Sequence, residues 1–291
     1  MTEATPSHER QQAWRAIGLF LLILVVLSAI INVVMVQRGG ATLLIITAMM
    51  WVPGIAALLS CRILKRPVAS MPWGFGEWRW NVLAWALPIM FGLAMYLPVW
   101  LFGLGGSAFG NPDTIAAWTK EMTGGEPNAA GAIAYVLLLG TIGIVVSASR
   151  ALGEEIGWRG FLIWEMHKVM PFWAVGIVSG LIWCVWHWPA IILLDYNSGA
   201  GNPTLSLLLF TIGIVPHSIV YAYLTFRSKS LWPAVILHAS HNLFIQQVFS
   251  PITVQGESTN VYIGEFGVML PIVGWILAAY FLWRARREGI A

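Results

Sequence analysis

The stretch Trp14–Val36 reads WRAIGLFLLILVVLSAIINVVMV, with a single charge, Arg15, at its start. It exceeds the ~20 apolar residues that a helix needs to cross a bilayer. It is also longer than the ~7–15-residue core of a secretory signal, and no small-x-small cleavage site follows it. Its polar leader carries Glu3 and Glu9. A permanent first span is therefore expected. Working outward, further runs meet or approach the same length: Ala41–Cys61, Asn81–Gly105, Ala130–Ser149, Phe172–Leu194, Thr204–Phe226, Leu231–Ser250 and Ile263–Trp283. Helix is expected for all of them, because an open strand would leave backbone N–H and C=O groups unpaired in lipid. The alternating ten-residue pattern of a membrane barrel is absent. The fold class is an all-α polytopic bundle of about eight transmembrane helices, organised as one membrane domain over residues 1–291.

Composition agrees. Apolar residues make up 58% of the 291 positions and charged residues 10%, against ~25% charged in a soluble domain. One ordinary core cannot hide that imbalance, whereas lipid-facing helices remove it. Seventeen Trp suit the membrane–water interfaces. The net charge of +3 comes without a basic stripe outside the spans, which excludes nucleic acid as a partner. Cys61 and Cys184 both lie in apolar runs with no CxxC spacing and read as small buried hydrophobes.

Lys and Arg set the expected orientation. With the N-terminus in the cytoplasm, the inner segments hold Arg10, Arg15, Arg62, Lys65, Arg66, Arg79, Lys168, Arg227, Lys229, Arg284, Arg286 and Arg287, and the outer segments hold Arg38 and Lys120. That bias predicts both termini inside and a multi-pass protein of the cell membrane. Pro67–Trp80 reads as an interfacial segment. Gly106–Asn128 and Pro251–Tyr262 read as outer loops.

Ionisable groups inside spans are costly and mark function by default. Here they gather in or just after the fourth run and in the fifth, sixth and seventh. They are Arg150, Glu154, Glu155 and Arg159, then His187, then His217, then His238 and His241. Glu155 and Arg159 are four apart on one helix face, which predicts an ion pair with a bidentate fork. Glu154 is turned ~100° away and is left free to react. Trp183 shares a face with His187, with Pro189 close behind. His238 shares a face with Asn242, beside the small residues Ala239 and Ser240. His217 and His241 read as packing or supporting residues. Taken singly, each group is compatible with an interhelical salt bridge or hydrogen bond. Together, a carboxylate, imidazoles and an amide are the parts of a hydrolytic site.

In order along the chain, E-E-x-x-x-R (Glu154–Arg159), aromatic-x-x-x-His (Trp183–His187) and His-x-x-x-Asn (His238–Asn242) resemble the CPBP family. That family contains the CAAX prenyl endopeptidases and the bacteriocin-processing or immunity proteins. The resemblance covers about residues 130–250. Trp183 stands where the family more often has Phe. The resemblance implies an intramembrane endopeptidase in which Glu154 and His187 activate water, His238 and Asn242 hold the oxyanion, and Arg159 secures Glu155. It implies a peptide or protein substrate, lipidated or membrane-bound, within the bilayer. These proteins are commonly classed as metalloproteases. His187 and His238 are candidate ligands for a divalent metal such as zinc, yet HExxH is absent, and a glutamate acting on water without metal is equally compatible. GxSG and GxGD motifs of other intramembrane proteases are absent too. The alternatives are a proton-coupled transporter and a non-catalytic immunity or scaffold protein on the same fold.

Depth is the difficulty in this reading. Glu154 falls near the inner end of its predicted span, while His187 lies about 24 Å past Pro171 and His238 about 10 Å into its run. They meet only if helices start below the interface or tilt. A site in the cytoplasmic half is expected.

Overall fold

The computed structural model describes residues 6–107, 118, 120, 124, 129–194, 202–256 and 258–290. Among them are eight long helices: α1 Pro6–Gln37, α2 Leu43–Ile63, α3 Trp78–Leu101, α4 Ala130–His167, α5 Phe172–Leu194, α6 Pro203–Ser228, α7 Trp232–Phe244 and α8 Met269–Arg287. The first six are long and apolar enough to cross a membrane. The last two fall short: α7 has 13 residues before a π-helical continuation, Ile245–Phe249, and α8 ends in Arg284, Arg286 and Arg287. The β content is a two-residue ladder, Gly106–Ser107 against Thr253–Val254. Most of the predicted outer loop Gly106–Asn128 lies outside the described residues.

Helix ends follow local chemistry. The Thr42 hydroxyl accepts from the Ile45 N–H at the start of α2. Asn202 Oδ1 accepts from the Thr204 and Leu205 N–H groups at 3.1 and 3.2 Å, just before Pro203 opens α6, a side-chain cap and a proline each in its favoured place. Lys229 ends α6 in the left-handed region at φ 53°. The turn into α7 rests on the predicted interfacial segment, where Pro72 and Trp73 carbonyls accept from the Leu231 N–H (3.0 Å) and the Trp232 indole (2.8 Å).

Two boundaries differ from the sequence reading. The fourth run does not stop at Ser149; the helix runs 38 residues in all, from Ala130 to His167. Glu154, Glu155 and Arg159 do not end it because they find partners inside the bundle. The eighth helix begins at Met269 rather than Ile263, and Ile263–Val268 form a turn that carries Glu265. Within α4 lie two π-helical stretches, Leu139–Gly143 and Ile156–Leu162. Each presents a carbonyl to an indole: Gly140 accepts from Trp85 and Arg159 from Trp164, both at 2.9 Å. Such side-chain insertion is a recognised cause of local widening.

α2 and α4 touch backbone to backbone. A Cβ on Gly54 would lie 2.6 Å from the Gly153 carbonyl oxygen, and one on Gly157 would lie 2.5 Å from Pro53 Cβ. Small residues permit that approach. Toward its N-terminus α4 turns outward, with Ile133, Leu137, Ile142 and Val145 each more than 60% exposed. α7 packs on α3 and α4, and α5 packs on α6, which also meets α8.

Candidate active site

The continuous α4 removes the depth difficulty. Glu154 is about 20 Å before the end of α4, and His187 about 22 Å after the start of α5, so the two stand level across the hairpin. α7 begins against the 67–77 segment, through the Pro72 and Trp73 carbonyls, and its His238 reaches Glu155 at 2.8 Å, beside Glu154. Glu154, His187, His238 and Asn242 line one cavity of about 560 Å³. Glu154 lies closer to the α4–α5 hairpin than to the other end of its helix.

Trp183 is the hub. Its indole N–H donates to Glu154 Oε2 at 2.8 Å. Its ring packs edge-on against His187 (5.9 Å) and His238 (5.5 Å). The Trp158 indole adds a second donor to the same Glu154 oxygen at 3.3 Å. Trp158 stands i+4 from Glu154, a spacing that places the two on one helix face. The His187 ring holds the Trp183 carbonyl through Nδ1 at 2.9 Å, leaving Nε2 for the cavity. An N–H on Nδ1 is the tautomer that makes this a hydrogen bond.

Glu155 faces the protein. It is fully buried, with Arg159 Nη1 3.1 Å from each of its oxygens. The expected fork does not form: one nitrogen reaches both oxygens while Nη2 turns to Ser218 at 3.4 Å. The guanidinium is also packed between Trp183 (4.6 Å) and Tyr221 (4.2 Å), and stacking between two rings sets its plane against the fork. Glu155 does more than hold Arg159. Its Oε1 binds His238 Nδ1 at 2.8 Å, which fixes that ring and leaves Nε2 as its second polar atom. The sequence places Glu155 and His238 83 positions apart, and spacing alone carries no signal for the pair.

His217 and His241 line the cavity as well, beyond the packing role expected of them. His241 Nε2 binds Glu265 Oε1 at 3.0 Å, and Gln246 donates to the same oxygen at 3.0 Å. Glu265 also lines the cavity. In sequence it sits at the edge of an apolar run, where it resembles an ordinary span terminus. His217 Nδ1 bonds the Gly213 carbonyl at 2.7 Å.

Residues 132–244 match the family model described as Type II CAAX prenyl endopeptidase Rce1-like. The match covers 113 of the 291 residues, about two fifths of the chain. A curated relative, CAAX prenyl protease 2 of Methanococcus maripaludis, is 29% identical over 93 residues, 31% of this chain. The match spans about a third (34%) of that relative's length. The matched stretch contains all three motifs and every residue that touches Trp183 in the site.

Among the described residues, no three His, Cys, Asp or Glu side chains gather as a metal-holding group. His187 and His238 each commit Nδ1 elsewhere, and Glu154 commits Oε2 to two indoles. These commitments leave Nε2 of both histidines and Oε1 of Glu154 without a hydrogen bond among the described residues, and no step below runs through a metal.

Proposed function

We propose that the protein is an intramembrane endopeptidase of the cell membrane in which Glu154 activates water. The observation that carries this reading is the Trp183 indole in contact with Glu154, His187 and His238 at one cavity. Two indole donors hold one Glu154 oxygen and orient the carboxylate, so that the other is the base for water. Water adds to the scissile carbonyl carbon and its proton passes to Glu154. His187 Nε2 lies on the same cavity wall to steady the water. The oxyanion is held by His238 Nε2–H and the Asn242 amide, with Glu155 bonded to Nδ1 balancing the charge of the doubly protonated ring. Collapse breaks the C–N bond, and the proton on Glu154 passes to the departing amine. The products are a new carboxylate and a new amine, the sum of peptide and water.

The substrate class is a membrane-associated peptide. By analogy with the named relative it is a prenylated C-terminal peptide. The test is terminal-peptide proteomics of membranes from cells carrying wild type or Glu154→Gln. New termini that vanish in the variant, with protein level unchanged, support the reading. Identical termini in both would leave a scaffold or a carrier in its place.

A further inference from the structure

Arg150 is a cavity-lining cation that the mechanism leaves unused. It is half-buried on α4 and lines the same cavity as Glu154. Arg159 is consumed by Glu155, Ser218 and two rings. Arg150, by contrast, has no ion pair or hydrogen bond among the described residues. Val145 and Val146 are exposed about one turn before it, on a helix long and apolar enough to cross a membrane. An unpaired guanidinium in such a place is costly, and its natural complement is an anion that arrives with the ligand.

We propose that Arg150 receives the α-carboxylate at the substrate's C-terminus and thereby sets how far from the chain end the cut falls. This rests on the endopeptidase reading. Arg150 and Glu154 are four apart and share a helix face. Their Cα atoms are separated by ~6 Å along the axis, and the longer arginine leans further toward the helix N-terminus. The guanidinium thus lies roughly 6–10 Å from the base, the span of two to three extended residues at ~3.3 Å each. Glu154 and Glu265 face the same cavity, but each already accepts hydrogen bonds: Glu154 from two indoles, Glu265 from His241 and Gln246. Arg150 is the uncommitted cation on that wall. Its planar fork matches a carboxylate, whose charge-assisted bonds are the strong ones.

The test uses the full chain in detergent and an S-prenylated peptide with three residues beyond the prenyl cysteine, made as the free acid and as the C-terminal amide. Binding is measured on the Glu154→Gln protein, which keeps the peptide intact. The acid is expected to bind about 10- to 100-fold tighter than the amide. Adding Arg150→Gln brings that ratio to about one, and Arg150→Lys retains part of it. Cleavage of both peptides is measured in parallel with residue 154 intact. Acid preference without any cleavage would sink the hydrolase reading yet leave the carboxylate receptor standing. Equal binding of acid and amide, or a preference that survives Arg150→Gln, overturns the proposal. Bound phospholipid retained by wild type and lost in Arg150→Gln, with acid and amide bound alike, assigns Arg150 to a lipid phosphate and overturns it as well.

Discussion

Glu154 and Glu155 are neighbours in sequence, and replacing each by Gln should produce opposite phenotypes. Glu155 is 0% exposed, 3.1 Å from Arg159, itself 1% exposed, and 2.8 Å from His238. Glu155→Gln keeps the shape but removes the negative charge, which leaves the Arg159 guanidinium buried without a counter-ion. Breaking a buried pair from one side costs about 3–5 kcal/mol. For a chain of this size that corresponds to a fall in Tm on the order of 6–20 °C. Glu154→Gln removes a charge that faces the cavity, and a primary amide still accepts from the two indoles. Its fall in Tm should be much smaller while cleavage is lost. Cys61 and Cys184 are both buried, so a thiol-reactive fluorophore reports unfolding in detergent directly. Glu155→Gln combined with Arg159→Met should recover part of the loss, since removing both charges abolishes the uncompensated one. If Glu155→Gln melts with wild type, or if Glu154→Gln is the less stable of the two, the division of labour between the carboxylates described here is wrong.

Further expectations follow from single contacts. Gly157→Ala places a Cβ against Pro53 backbone and ring atoms at 2.5–2.6 Å, and overpacking there should cost about 1–3 kcal/mol, read as a lower Tm with the peptide specificity unchanged. Trp183→Phe deletes the 2.8 Å donor to Glu154 but keeps a ring between the histidines; kcat/KM should fall by about tenfold or more, and an unchanged value would show that the indole N–H does not orient the base. At the end of α8, Glu288 accepts from Tyr223, Arg227 and Arg284. Burial would raise its pKa, but the hydrogen bond from Arg284, with Tyr223 and Arg227, outweighs that and holds it below 4.5. A lowered folded-state pKa stabilises above the unfolded value and is lost as pH falls through the folded one. Wild type should therefore lose Tm relative to Glu288→Gln as pH drops below about 4.5, and a constant gap between them across that range would contradict the clamp.

Much of this architecture is legible from residue order. The spans announce themselves through apolar length, and the three motifs are local spacings on single helices. Glu155–Arg159 and Trp183–His187 pair along the helix face that their spacing predicts. What was not legible depends on how helices stack. The fourth helix runs past its charges because those charges are paired inside, and a hydropathy reading sees only the charges. The π-helical stretches depend on Trp85 and Trp164 reaching particular carbonyls. Glu265 enters the site from a turn that sequence alone assigns to a span, and the Glu155–His238 bond joins two helices whose register no local pattern sets. The missing guanidinium fork has the same origin, since Tyr221, on a third helix, takes one face of Arg159.

The contact between Gly54 and Gly153 works as a rivet between two blades. Gly153 adjoins Glu154, so rotation about this point leaves the carboxylate nearly stationary. At Val146, about 10 Å along the shaft, a ten-degree swing moves the blade sideways by ~2 Å. A small turn about that point would shift the cavity wall at Ser147 and Arg150, which faces Leu43 and Ile46 of α2 across the cavity, more than it shifts Glu154.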